Sequence, residues 1–340
     1  MPMTRNSPSR GTKSRQPKSP LDAKSLLHPE LREGTLAGLE FFASLGSVGS
    51  GNLATWRQAM AEFARPRRED VSVERRLIPG GGRHRVPVFV INTQPGSGRP
   101  VIVHLHGGGY VAGAAEHDVR VLQDTALALD CTVVSVEYRL APEYGWQESL
   151  ADNYAALSWV HANAAKLGVD PQRIAVMGES AGGGHAARLA IEARDRGRVP
   201  IVLQVLVYPM LDDRTGSTRS VPAHIGTMVW SRQSNRYCWG ALLGVPPGGN
   251  EVPDGAVPAR VEDLSGLPPA YIAVGALDLF FEEDLAYARR LTAARVPTEL
   301  HVVPGAVHGF DEFSPDSSLV RQFAASKLDA LRRAFGVQAG

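Results

Sequence analysis

Cysteine is scarce in this chain of 340 residues: there are two, Cys131 and Cys238. Two thiols exclude a disulfide-framework fold, and no Cys/His cluster has zinc-ligand spacing. Walker A, H-E-x-x-H and EF-hand patterns are missing as well. The expectation is therefore no metal and no cofactor. No apolar run approaches the ~18 residues of a bilayer span, so no stable membrane insertion is expected. An excess of one charge is also lacking. The net charge is +1, of which residues 1–20 contribute +5 through Arg5, Arg10, Lys13, Arg15 and Lys18, leaving −4 on the remainder. A mildly acidic folded part argues against nucleic acid as a partner. The basic segment, rich in Ser and Pro, has no apolar core of a secretory signal and reads as a disordered tail. Few cysteines and no such signal point to the cytoplasm.

What is present is a globular composition, 44% hydrophobic, with 35 Gly and 24 Pro. A chain of this length buries enough surface to hold a core unaided. Residues 21–70 read as two helical stretches: Leu27, Leu31, Leu36 and Leu39 recur at roughly helical spacing after Pro29, and a second stretch begins at Leu53. From residue 71 the period changes. Residues 71–78 and 86–91 read as two strands around Gly80-Gly81-Gly82, with Pro87 suggesting a place near a sheet edge. Strands and helices then alternate. Strands are expected at 101–105, 132–136, 174–177, 201–207, 271–274 and 299–303, and a turn at Asp170-Pro171. Helices are expected at 118–129, 150–167, 181–194, 283–294 and 319–335. Short apolar strands alternating with helices imply an α/β fold with a mostly parallel sheet covered on both faces. The alternation breaks at about 211–267, a Pro- and Gly-rich stretch with one helical piece near 228–243. A long insertion after a strand's carboxyl end is where a binding element sits. Three parts are expected: the tail 1–20, helices 21–70, and an α/β domain 71–340 carrying that insertion.

The chemistry concentrates in two glycine motifs. Gly178-Glu179-Ser180-Ala181-Gly182 is the one G-x-S-x-G of the chain, between an apolar strand and a helix. That context makes it a nucleophile elbow, whose small flanking residues permit a strained turn that lifts the serine hydroxyl above the sheet. His106-Gly107-Gly108-Gly109-Tyr110 directly follows the strand at 101–105. Backbone N–H groups of Gly108 and Gly109, with that of Ala181, can form an oxyanion hole. Gly182-Gly183-Gly184-His185-Ala186-Ala187 also fits a dinucleotide pattern, but it overlaps the elbow and its glycines are explained by helix–strand packing.

With these residues the chain resembles the hormone-sensitive-lipase-like branch of the α/β-hydrolases. The matching pieces, in the family's order, are His106–Tyr110, Tyr138-Arg139-Leu140-Ala141-Pro142-Glu143, Gly178–Gly183, Asp278-Leu279-Phe280 and His308-Gly309-Phe310. They extend over roughly residues 71–340 and are specific together. Glu179 stands where the family usually has Asp, Glu137 where Asp often precedes Tyr-Arg, and Tyr144-Gly145-Trp146-Gln147 replaces a more usual His-Pro-aromatic-Pro. The resemblance implies an α/β-hydrolase fold with a helical cap. It also implies a serine carboxylesterase acting on short- to medium-chain esters, with a small-molecule ester as partner and a homodimer within the family's range. Bulky alcohol groups, tertiary ones included, are associated with this glycine-loop type.

Among ten histidines, His308 fits the general base, since it follows the strand at 299–303 on a loop between two glycines. His301 lies inside that strand, His185 projects from the helix away from the hydroxyl, His104 alternates within an early strand, and His106 anchors the glycine loop. Asp278 leaves the end of the strand at 271–274 and fits the acid that orients His308. Glu282, Glu283 and Asp284 compete, but they fall in the first turn of the next helix. The order Ser180, Asp278, His308 is that of this fold. The same triad could serve amides, thioesters, lactones or acyl transfer. Related receptors have lost triad members and a related dehydratase carries threonine at the serine; Ser180, Asp278 and His308 argue against both. Phe41, Phe42, Trp230, Tyr237 and Trp239 are candidates to line the substrate pocket or to pack the cap.

Overall fold

The computed structural model describes residues 23–337, so the basic tail 1–20 lies outside the described residues. The described residues open with a 3₁₀ turn (Ala23–Leu26), helix α1 (Pro29–Leu45) and helix α2 (Leu53–Met60), which a second 3₁₀ turn extends to Phe63. Pro29 is the first residue of α1, where its missing N–H costs nothing. The sheet follows: β1 (Val73–Pro79), β2 (Arg85–Ile91), β3 (Arg99–Leu105), then helix α3 (Val119–Leu129) and β4 (Thr132–Val136). Helices α4 (Trp146–Ala162) and α5 (Ala164–Leu167) lead into β5 (Val169–Glu179), α6 (Ala181–Arg196) and β6 (Leu203–Val207). After α7 (Arg232–Leu243) come β7 (Ala270–Gly275), α8 (Phe281–Ala293), β8 (Thr298–Val303), the short α9 (Phe310–Phe313) and α10 (Ser318–Phe335).

The eight strands form one sheet in the order β1-β2-β4-β3-β5-β6-β7-β8, antiparallel at β1, β2 and β4 and parallel thereafter. Side chains alternate between its faces. Val101, Val103 and Leu105 point to the side covered by Leu157, Leu189 and Leu291 of α4, α6 and α8. Ile102, Ala175 and Met177 point to the side covered by Leu122 and Leu129 of α3 and Phe323 and Leu331 of α10. Both faces are buried, which is why these strands read as continuous apolar runs.

One local expectation is corrected and one is met. Pro87 lies near the sheet edge as expected, one strand in, on β2 beside the edge strand β1. Proline fits there because the β2–β4 ladder begins only at Val88, and the Pro87 carbonyl takes one last bond, from the Glu137 N–H. Asp170-Pro171 does not end a strand. It lies inside β5, where the pairing with β3 jumps from Arg99–Val169 to Val101–Ile174. The intervening residues bulge around an Asp170 carboxylate that accepts the Gln172 N–H. The remaining ends shift by small amounts, with α4 starting one turn before residue 150.

Segment 208–269 leaves the carboxyl end of β6 and meets α2 over the sheet. Val48, Trp56, Trp230, Trp239 and Leu242 pack there with Tyr110 and Phe280. Arg57 of α2 fastens this layer to the sheet: its guanidinium donates to the carbonyls of Val111 and Ala141 and pairs with Glu143 at 2.7 Å. The half-exposed ion pair itself contributes little. The two buried carbonyls gain their partners from it, and that is the larger contribution.

Candidate active site

Three strand ends converge above the sheet. Ser180 sits between β5 and α6 with φ 57° and ψ −120°, a conformation that L residues avoid. The surroundings force it. A Cβ on Gly178 would lie 2.3 Å from the Gly182 carbonyl oxygen, and one on Gly182 would lie 1.9 Å from that of Leu105. Only glycine permits this approach of turn to strand. The Ser180 N–H donates to Val207 and its carbonyl accepts from Met210, so β6 holds the elbow from the other side.

Asp278 follows β7 and His308 follows β8. Their loops are joined: the N–H of Ala276 donates to Val303 and that of Leu277 to Ala306. A Cβ on Gly275 would meet the Ala306 carbonyl at 2.4 Å. The result is a continuous hydrogen-bonded line. His308 Nδ1 is 2.8 Å from Asp278 Oδ2, and His308 Nε2 is 2.8 Å from Ser180 Oγ. Asp278 Oδ1 accepts the Phe280 N–H. Asp278 is 1% exposed and Ser180 8%, so the carboxylate is kept from water while the hydroxyl opens to a pocket. The imidazole is caged edge-on by Tyr208 and Phe280 at ring distances of 4.8 and 5.1 Å.

The glycine loop lies against the elbow. A Cβ on Gly107 would sit 3.2 Å from the Glu179 carbonyl and 3.7 Å from Ser180 Cβ. Gly108 and Gly109 have φ of 121° and 62°. Among the described residues, the N–H groups of Gly108, Gly109 and Ala181 have no protein acceptor. The loop's start is braced by motif residues. Tyr138 donates to the His106 carbonyl at 2.6 Å and its ring stacks on His106 at 4.1 Å. Tyr110 donates to the Met210 carbonyl at 2.7 Å. His106 and His185 are buried against these tyrosines, and burial holds both imidazoles down to about 3, so they stay neutral.

The other candidates are placed elsewhere. Glu283 is buried and accepts the N–H groups of Leu211 and Asp212, tying α8 to the root of the long insertion; burial pushes its carboxyl well up. Asp284 is likewise buried and raised, and Glu282 is exposed at the helix start. His301 is half-buried against Phe323. His104 pairs with Glu179 at 2.8 Å. Cys131 and Cys238 are both free and buried. Among the described residues no group of three His, Cys, Asp or Glu side chains could hold a metal, and no helix is long and apolar enough to cross a membrane.

A pocket of about 200 Å³ opens at Ser180. Of the five aromatic candidates, Phe42 and Trp230 line it. Trp239 and Tyr237 instead pack inside the layer above, and Phe41 packs edge-on against Phe42. Sequence reasoning missed Val48, Trp56, Met60 and Phe313, which complete the apolar wall.

A strained serine after a central parallel strand, hydrogen-bonded to a histidine that a buried carboxylate orients, defines an α/β-type serine hydrolase site. The comparisons with known proteins bear on the fold and the reaction. Residues 102–312 match the alpha/beta hydrolase fold family. Carboxylesterase NlhH of Mycobacterium tuberculosis is 36% identical over 271 residues, 78% of this chain and 83% of that protein. Esterase LipI of the same species is 39% identical over 215 residues, 62% of this chain and 65% of that protein. A solved bacterial heroin esterase superposes with a TM-score of 0.82 at 35% identity, over 92% of this chain and 99% of that one. Esterase LipW from Mycobacterium marinum gives 0.79 at 34% identity, over 92% and 98%. The chain belongs to the alpha/beta hydrolase fold family, in its hormone-sensitive-lipase-like branch, and it is a carboxylic ester hydrolase.

Proposed function

We propose that hydrolysis runs through an acyl-enzyme on Ser180, and that its substrates are short- to medium-chain esters. A serine hydroxyl is a weak nucleophile until a base takes its proton. His308 Nε2 takes that proton as Oγ attacks the ester carbonyl, then gives it to the leaving alcohol. Asp278 fixes the tautomer that leaves Nε2 free and stabilises the imidazolium. The N–H groups of Gly108, Gly109 and Ala181 receive the oxyanion, each worth about 3 kcal/mol in the transition state. Water repeats the path on the acyl-enzyme and releases the acid. The observation that carries this reading is the pair of 2.8 Å contacts that join Ser180, His308 and Asp278.

Helices α1 and α2 together with segment 211–267 form, in this proposal, a cap over an α/β domain, with Phe42, Trp56 and Trp230 as its substrate-facing surface. The free cysteines favour a reducing compartment, in keeping with a cytoplasmic location. The exposed Leu300 and Val302 on the edge strand β8 favour a homodimer. The test of the function is hydrolysis of p-nitrophenyl esters from acetate to laurate, with Ser180→Ala as control. Serine-dependent turnover with an optimum below the long chains is expected. Turnover that survives Ser180→Ala, or that rises steadily to laurate, contradicts the proposal.

A further inference from the structure

The pocket beside Ser180 has two unlike walls. Toward the upper layer it is apolar, lined by Phe42, Val48, Trp56, Met60 and Trp230. Between α3, α9 and α10 the same pocket is lined by His104, Asp118, Glu179, Tyr208, Asp311 and Lys327. Some of these groups satisfy one another. His104 Nε2 meets Glu179 Oε2 at 2.8 Å while its Nδ1 meets Ser135 Oγ at 3.0 Å. Tyr208 donates to Asp311 at 2.9 Å.

Two members of this wall are left over. Lys327 is nine-tenths buried, and its ammonium rests 5.2 Å from the Phe323 ring without a hydrogen bond or ion pair among the described residues. Asp118 begins α3, yet its carboxylate caps no N–H and has no ion-pair partner there. Burial pushes Asp118 up to about 7, and His104, which opposes that rise, is already hydrogen-bonded to Glu179. Lys327 acts on Asp311 and Glu179 through space, with no hydrogen bond to either, so the wall offers one donor and one acceptor without a hydrogen-bond partner among the described residues, both lining the substrate pocket. An alkyl chain placed there would strip both of water and return nothing. A hydroxyl can meet either need, donating to Asp118 or accepting from Lys327.

We propose that this wall is a specificity subsite for the hydroxyl group of a hydroxylated ester, with Asp118 as its acceptor and Lys327 as its donor. The inference rests on ester hydrolysis at Ser180 and adds the class of ester. A site built around hydrogen bonds to a hydroxyl rejects the analogue that lacks it more strongly than an apolar pocket rejects an added hydroxyl.

The experiment compares esters that differ only by hydroxyl against methyl at the chain end. One series varies the acyl chain, p-nitrophenyl ω-hydroxyalkanoates against the alkanoates with methyl in place of hydroxyl, over chains of six to ten carbons. The other varies the alcohol, ω-hydroxyalkyl butyrates against the matching alkyl butyrates. The readout is the ratio of kcat/KM within each pair, which does not depend on the fraction of folded enzyme. The wild-type ratio is expected to favour the hydroxyl member by about 10- to 100-fold at one chain length, in the series whose chain enters this wall. Asp118→Leu and Lys327→Met, made separately, are each expected to bring that ratio down at least tenfold. A wild-type ratio at or below one throughout both series overturns the subsite, as does a ratio that neither substitution changes. If p-nitrophenyl acetate is not hydrolysed at all, ester hydrolysis itself fails and the subsite falls with it.

Discussion

Below the pocket, Ser180, Asp278 and His308 leave strands of one sheet, and each turn is locked by a backbone approach of under 2.5 Å to an absent Cβ or by bonds between loops. Above it, Phe42, Trp56 and Trp230 come from α1, α2 and a loop before α7, segments that meet through side chains in one apolar cluster. The difference matters because catalysis and selectivity ask for different things. Proton transfer needs heavy atoms held within tenths of an ångström, which strand ends and backbone bonds supply. Selectivity needs shape, which side chains on helices can vary without disturbing the proton path. The account therefore assigns rate to the lower region and the fit of an apolar chain to the upper one, with the polar wall between α3, α9 and α10 selecting for a hydroxyl.

The comparison can be broken most severely at the lower region. Ser180→Ala is expected to lower kcat by about 10⁴-fold or more with the melting temperature nearly unchanged, read by steady-state kinetics and thermal unfolding. Asp278→Asn is expected to cost about 10³- to 10⁴-fold in kcat, since the amide no longer selects the tautomer with a free Nε2. A similar loss in Glu283→Gln, at unchanged stability, would show that the acid has been misassigned.

Gly109 is where the two regions touch, and it sharpens the comparison. A Cβ there would stand 2.5 Å from the Trp230 ring, at a φ of 62°. Gly109→Ala is expected to lower kcat by about 10²-fold through a displaced oxyanion donor, and to alter chain-length preference by moving the indole. Trp230→Ala removes the upper side of that contact and leaves the Gly109 backbone in place: KM for medium-chain esters should rise about tenfold, while kcat for acetate changes by less than about threefold. Equal losses of kcat on every ester would erase the distinction.

The smallest expected effect concerns stability. His185 is held neutral down to about 3, against an ordinary 6.5. Below 6.5 the unfolded chain takes up a proton that the folded chain refuses, so stability falls as pH drops from 6.5 toward 3. His185→Phe is expected to reduce that slope by up to about 1.4 kcal/mol per pH unit, measured as the difference from wild type in urea unfolding. An unchanged slope would mean that the imidazole is charged in the fold.

The same contrast explains what could be read from the sequence. Strand ends write their geometry into neighbouring residues. The elbow around Ser180, the glycines at 107–109 and the positions of Asp278 and His308 were legible for that reason, as was the α/β alternation. Walls built from distant segments leave no local trace. Trp56 and Phe313 look like ordinary helix residues until α1, α2 and α9 meet. Lys327 sits in an amphipathic helix where a lysine invites a reading as solvent-exposed. Tyr237 and Trp239 look like pocket aromatics, yet the turn of α7 sends Trp239 wholly inward.

The central claim is that rate resides in one serine, and covalent trapping tests it most directly. The protein would be treated with a p-nitrophenyl phosphonate, the released nitrophenol counted, and the labelled peptide identified by mass spectrometry. The account predicts one equivalent of label on Ser180, complete loss of esterase activity in step with labelling, and no label in Ser180→Ala. Label on another residue, or activity that outlasts full modification of Ser180, would contradict it.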